Sequence, residues 1–303
     1  MIVRFRRARI PSWVERTVAE GGIRVKRGDY FVHTFTNDGV FVLSEATTVD
    51  LLVVGGGGGG AGGGGGGGGG SVIYLTNVVM EAGSYPVSIG EGGAGTPGKN
   101  TVFASAGSPS SFGSYLAMGG GAAGAMYRAG LPGGGGGGTS AGDDGVPTGH
   151  PGGHAIWGDT PRGGNGYSLR TTYTSRSLGG GGAGARGSGA DAYIDGVWDG
   201  SGGPGVVCDI SGEMVGYGGG GGGGGCGSGI YGRGRDGGAD GSEATTTPTE
   251  TKFFGKSANP NTGGGGGGGG SWSQKCGAGG HGGSGVVIVR YRRIKKGLTI
   301  LFR

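Results

Sequence analysis

The stretch VDLLVVGGGGGGAGGGGGGGGGSVIYL, Val49 to Leu75, decides how this chain is read. Between Gly55 and Gly70, fifteen of sixteen residues are glycine, Ala61 being the exception. Such a segment has no side chains to bury, so the hydrophobic effect cannot order it. Glycine also loses more backbone freedom on folding than any other residue. At about 1–2 kcal/mol per residue, ordering all 92 glycines costs on the order of 100 kcal/mol. Either the runs stay disordered or something dense and repetitive holds them. The flanks favour the second reading: VDLLVV and SVIYL are strand-like, so the run is tied at both ends.

Working outward, glycine and proline make up about a third of the 303 residues, a composition that by default suggests low complexity. Collagen is excluded, because the glycines form unbroken runs rather than every third residue. Charged residues are only 15%, so the chain is not a charge-swollen disordered polymer. The charge is unevenly placed. Residues 1–30 carry a net +5 and residues 290–303 a net +6, while the remaining 259 carry a net −6. Basic ends of this kind can meet nucleic acid or an acidic protein surface, or simply stay solvated.

The N-terminus MIVRFRRARIPSW has arginines where a signal peptide needs an apolar core, so no secretory leader is expected. No stretch approaches the length of a membrane-spanning helix. Cys208, Cys226 and Cys276 are odd in number and form no CxxC pair, so neither a disulfide framework nor a zinc site is indicated. Assembly in a reducing cytoplasm fits.

After a basic lead-in over residues 1–28, Tyr30 to Thr36 alternates, with Phe31, His33 and Phe35 on one face. Asn37-Asp38-Gly39 reads as a hairpin turn into a return strand over Val40 to Leu43. Val49 to Val54, Val72 to Met80 and Tyr85 to Ile89 read as strands, Thr101 to Ala104 and Ser114 to Met118 as weaker ones, and Val286 to Tyr291 as a strong closing strand. From Gly119 onward, glycine runs at 133–138, 179–182, 218–225 and 263–270 alternate with polar, aromatic-containing segments. No amphipathic helix is visible. A polyglycine run can take an extended three-residue helix rising about 3.1 Å per residue, with no internal hydrogen bonds. Every backbone group must then find a partner outside its own run, and closely packed neighbouring runs can supply one. The expected fold is all-β with polyglycine-II helices: a small β-sheet or sandwich joined to a layered sandwich of glycine helices. The expected organisation is a basic attachment arm (1–28), a β region with the first glycine run (29–118), a glycine-helix sandwich with variable loops and a closing strand (119–291), and a basic tail (292–303).

Five segments together resemble a known family: HTFTNDGVFVL (33–43), the stretch from Val49, AGSYPVSIGEGGAG (82–95), NTGGGGGGGG (261–270) and GGSGVVIVRY (282–291). In this order they resemble the glycine-rich domain of bacteriophage tail-fibre and adhesin proteins. The resemblance implies a virion protein, assembled in the host cytoplasm, whose variable loops between glycine runs touch a host receptor, either a surface glycan or an outer-membrane protein. By analogy with fibre proteins it implies a homo-oligomer, a trimer being the simplest, bound to other tail or capsid proteins. No direct nucleic-acid role and no cofactor are expected. The basic termini lie outside the resemblance, and Arg4, Arg6, Arg7, Arg9 and Trp13 are the candidate virion-attachment residues.

Other motifs weigh less. Gly93 to Asn100 (GAGTPGKN) nearly matches a phosphate-binding loop, but Asn100 stands where Ser or Thr must reach magnesium. His150 and His154 sit four apart with Asp143 and Asp144 nearby, but proline and glycines prevent the helix that would aim both at one metal. Gly234 to Gly241 (GRDGGADG) is an isolated fragment, not a calcium-binding repeat. The aromatic residues form the more informative constellation, because the glycine runs contain none. Trp157, Tyr167, Tyr173, Tyr193, Trp198, Tyr231, Phe253 and Phe254 are the candidate receptor-contact residues, since aromatics supply large contact area at low entropic cost. Their alternative role is to cap the ends of the glycine block. No carboxylate pair or nucleophile–base spacing suggests an enzyme. Three classes compete: a tail-fibre or tail-tip adhesin, a capsid decoration or head-fibre protein held by its basic ends, and a free-standing ice-binding glycine-helix protein, which the irregular spacing of the runs disfavours.

Overall fold

The computed structural model describes residues 13–98, 103–124, 128–139, 152–153, 167–170, 175–194, 197–226, 230–243, 253–272 and 275–297. Among them the regular secondary structure is all β, with no helix, in several mainly antiparallel sheets. One five-stranded antiparallel sheet runs Ile23–Arg27, Tyr30–Phe35, Val286–Arg292, Thr47–Val54, Val72–Met80. A second runs Tyr115–Ala117, Ser110–Phe112, Gly83–Ser88, Gly39–Leu43, Ala19–Glu20. Their facing sides enclose a core of Phe31, Phe35, Phe41, Leu51, Val53, Phe112, Val287, Val289 and Tyr291.

The unbroken apolar run LLVV is explained by burial on both faces. Leu51 and Val53 enter this first core. Leu52 and Val54 enter a second, on the sheet's other side, beneath the hairpin of Val206–Cys208 and Val215–Tyr217. Arg290 and Asp50 are cross-strand partners on that second side. The Arg290 guanidinium donates to Asp50 Oδ2 at 2.9–3.0 Å and to the Asp209 carbonyl and carboxylate at 3.1 and 3.3 Å, fastening the hairpin's turn to the sheet.

One expectation is corrected. Asn37-Asp38-Gly39 is not a hairpin turn: Gly39–Leu43 pairs with Gly83–Ser88 and Ala19–Glu20, not with Tyr30–Phe35. The chain turns a corner from one sheet into the other, and Asp38 Oδ1 accepts the Ile89 amide at 2.7 Å. In a hairpin, the apolar faces of the two strands would lie side by side on one sheet. Across the corner they face each other, and Phe41 packs edge-on against Phe35 and His33.

The glycine runs continue these sheets without a break. Thr47–Val54 passes into Gly55, and the chain returns through Ser71 into Val72–Met80, with the Gly55 amide donating to Ser71. Residues 55–70 are buried throughout. Along 55–61 the donors cycle with a period of three: Gly55 and Gly58 donate to the returning run, Gly56 and Gly59 to Ser108 and Ser105, Gly57 and Gly60 to Gly283 and Gly280. The carbonyls cycle in the same way: Gly56 and Gly59 accept from Gly120 and Ala123, Gly57 and Gly60 from Gly93 and Thr96, Gly58 and Ala61 from Gly266 and Gly269. This run therefore has six neighbouring segments, three accepting its amides and three donating to its carbonyls. The runs at 65–70 and 219–225 follow the same pattern. Backbone satisfaction takes the place of side-chain packing. The spacing also leaves no room for a methyl group: a Cβ built on Gly58, Gly66, Gly67 or Gly221 falls well inside 3.0 Å of a neighbouring carbonyl oxygen.

Candidate functional site

Hydrogen-bond levels along the glycine block define two ends. The near end, at Gly55 and Ser71, joins the sandwich; the far end is the bend at Gly62–Gly64, where the Ala61 amide donates to Gly65. Three contacts set the level there: Gly269 donates to Ala61, Gly224 to Gly64, and Gly179 to Gly224. Leu178, Gly225 and Gly270 share this level, and the chain continues from them into a third sheet. Its order is Tyr167–Arg170, Ser175–Leu178, Gly225–Cys226, Ser271–Trp272, Lys275–Cys276.

The described receptor candidates all fall at this far end. Tyr167 begins the third sheet's outer strand. Tyr193 and Trp198 are cross-strand partners in a hairpin, their rings 5.0 Å apart and inclined at 56°. Its base is fixed by Asp199 donating to Ala192 and by Gly223 donating to Gly200. Tyr231 precedes Gly232, which donates to Gly223. Phe253 and Phe254 follow at the level of Gly270, whose amide donates to the Phe253 carbonyl at 2.8 Å. These two neighbours have opposite fates: Phe253 is 5% exposed against the glycine block and Phe254 is 50% exposed. Trp157 and Tyr173 lie outside the described residues, as do His150 and His154.

The first and last described strands go the opposite way. Trp13–Arg16 pairs antiparallel with Ile294–Gly297, Trp13 opposite Gly297 and Arg16 opposite Ile294. Ile294–Gly297 extends the central strand Val286–Arg292 out of the sheet on the side away from the glycines, and the Arg293 amide donates to Asp29 at 2.8 Å. These two segments of the basic regions, remote in sequence, therefore form one ladder. Beside it the guanidinium groups of Arg24 and Arg293 lie over the Phe31 ring, at 5.4 and 5.9 Å. Arg4, Arg6, Arg7 and Arg9 lie outside the described residues.

A cluster that the sequence did not single out stands on the side of the block toward the far end. Asp240 Oδ2 accepts from Lys256 Nζ at 3.0 Å and Arg233 Nη1 at 3.5 Å, and Oδ1 accepts the Gly234 amide at 3.0 Å. Partial burial pushes the Asp240 carboxyl up, but the hydrogen bonds from Lys256 and Gly234 and the charges of Lys256 and Arg233 outweigh it and hold it below its ordinary value. The Arg233 guanidinium lies 4.7 Å from the Tyr231 ring centroid. The GRDGGADG fragment thus uses its acids on backbone amides, Asp236 Oδ2 accepting Gly205 at 2.7 Å. Arg233 and Asp240 are seven residues apart and Lys256 a further sixteen, all in outer runs beside the block, and no motif spacing marks the three as a cluster. Among the described residues no three His, Cys, Asp or Glu side chains converge as metal ligands. Of the stretch resembling a phosphate loop, residues 93–98 pack as an outer run, Thr96 Oγ1 accepting the Gly62 amide, and residues 99–100 lie outside the described residues.

No curated protein matches the chain. A family model described as a glycine-rich domain matches residues 36–292, from the corner after Tyr30–Phe35 to the end of the closing strand Val286–Arg292. The chain belongs to the glycine-rich domain family.

Proposed function

We propose that this chain is a bacteriophage virion adhesin, a tail-fibre or tail-tip protein, in which a block of polyglycine-II helices holds host-recognition loops away from the attachment end. One observation carries the reading: the described receptor-candidate aromatics gather at one end of the glycine block and the paired basic termini at the other. The three-residue cycle of donors and acceptors is what polyglycine-II helices in close packing require. Such a block is stiff, and its buried interior carries no chemistry of its own, so segments at its far end can vary without disturbing it. Tyr193, Trp198 and Phe254 offer aromatic contact area to a glycan or an outer-membrane protein. The ladder of Trp13–Arg16 and Ile294–Gly297, with the arginines before it, offers positive charge to an acidic surface on the particle.

The experiment is adsorption. Replacing Tyr193–Trp198 by a two-residue turn abolishes binding of the labelled protein to host cells and leaves its melting temperature unchanged; undiminished binding overturns the receptor reading. Reversing Arg4, Arg6, Arg7 and Arg9 to glutamate releases the protein from particles, and retention removes the arm as anchor. If cryo-electron microscopy of particles places the protein on the head, the second reading, a capsid decoration anchored by the same ladder, replaces the first.

A further inference from the structure

The Arg233–Asp240–Lys256 cluster has more cationic capacity than a staple between neighbouring runs needs. One carboxylate is met by two cations and a backbone amide, which leaves a net positive charge. Both cations are largely in solvent, Arg233 66% and Lys256 67% exposed, whereas the Asp240 side chain is 22% exposed. Asp240 thus serves as a fixed post from beneath, while the outward donors of both cations stay open. The guanidinium is further oriented by the Tyr231 ring under it. The exposed Phe254 lies two residues before Lys256 on the same outer segment. A pre-oriented guanidinium on an aromatic ring, a second cation on the same carboxylate and an exposed phenylalanine two residues away in sequence suit a ligand that joins an anionic group to an apolar ring face.

We propose that Tyr231, Arg233, Lys256 and Phe254, buttressed by Asp240, form a subsite for an acidic sugar of the host surface. The carboxylate or phosphate of the sugar bridges Arg233 and Lys256, and its pyranose face lies on an aromatic ring. This inference rests on the receptor reading above and names the ligand class. The anion takes the open donors of both cations, and Asp240 keeps the pair from separating when the site is empty. The two anion types share this chemistry and differ in geometry: the planar fork of arginine accommodates both, and lysine acts as a point charge.

The test uses the full chain in calorimetric titrations at low and physiological salt, with trigalacturonate, glucose 6-phosphate and maltotriose as probes. Trigalacturonate or glucose 6-phosphate binds at least tenfold more tightly than maltotriose, and the stronger of the two identifies the anion. The double substitution Arg233→Gln/Lys256→Gln removes this preference, whereas the charge-matched Arg128→Gln/Arg186→Gln retains it. Phe254→Ala weakens the acidic sugar severalfold without altering the salt dependence. Equal binding of acidic and neutral probes, or an equal loss in the charge-matched control, overturns the proposal. Should Arg233→Gln/Lys256→Gln lower the melting temperature, Arg233→Lys replaces it: the loss of the stacked fork alone weakens binding, and no change contradicts the site. Cell adsorption measured in parallel separates the two levels. Binding to cells that is lost with the Tyr193–Trp198 hairpin but is indifferent to acidic sugars leaves the adhesin reading standing and removes this one.

Discussion

The strands of the sandwich pass directly into the runs of the glycine block, yet the two regions are held by opposite means. Around Phe41, Leu51 and Tyr291, large side chains fill the space between two sheets, and the backbone bonds only to its strand neighbours. Around Gly58, Gly67 and Gly221 there is nothing to fill, and the backbone bonds in six directions. One region is stabilised by the atoms present, the other by the atoms missing. The comparison teaches that "core" has two meanings in this molecule, one broken first by adding atoms and the other by removing them.

The largest effect breaks the block by adding atoms. Gly67→Val puts a branched side chain where even a Cβ falls inside 3.0 Å of the Gly58 carbonyl. With backbone on every side unable to give way, the cost exceeds about 5 kcal/mol, comparable to the whole stability of a domain. Circular dichroism and soluble yield would show loss of the native fold. Next, Phe41→Ala breaks the sandwich by removing atoms and costs about 3–5 kcal/mol, measured by denaturant titration. Arg290→Met costs about 3 kcal/mol, since it leaves Asp50 in a largely buried position without its cation. The double variant Arg290→Met/Asp50→Leu recovers much of that loss.

A smaller effect is pH dependence. His33 is fully buried, its Nδ1 bonded to the Gly21 carbonyl at 2.7 Å and its ring packed on Phe41 and Tyr291. Burial lowers its pKa below 6.5, the Gly21 bond opposes this, and the Arg24 charge adds to the lowering. The unfolded chain therefore takes up a proton at a pH where the folded chain does not. Stability from this residue is full above about pH 6.5 and falls as pH drops below it, until the folded pKa is reached. Thermal melts between pH 4 and 8 show that slope, and His33→Gln flattens it. The smallest effect sharpens the comparison by control. Gly83 has open space where its Cβ would stand and no left-handed φ, so Gly83→Ala is neutral or stabilises by up to about 1 kcal/mol.

How much of this was legible in the sequence follows from the same contrast. The alternation of Tyr30–Phe35 and the continuous LLVV and VVIV runs marked strands, because side chains carry that information, although the burial of Val32 in the second core goes beyond what the alternation of Phe31, His33 and Phe35 shows. The glycine runs carry none. Nothing in their sequence specifies that Gly57 meets Gly283 while Gly56 meets Ser108; the strands at their ends set that register. The corner at Asn37–Gly39 was illegible for another reason, since a turn signal gives a reversal but not the sheet it enters. Phe253 and Phe254, identical and adjacent, differ only in which side of an outer run they occupy. The ladder of Trp13–Arg16 with Ile294–Gly297 is a tertiary fact with no local trace, and the Arg233–Asp240–Lys256 cluster, though its members lie within 24 residues, depends on how neighbouring outer runs stack.

Hydrogen exchange of the Gly55–Gly70 amides, read by mass spectrometry on the full chain, tests the central claim most directly. If the glycine block is an ordered, hydrogen-bonded core, these amides exchange as slowly as those of Leu51–Val54, through global unfolding alone. Exchange at the rate of an unstructured glycine peptide would contradict the account.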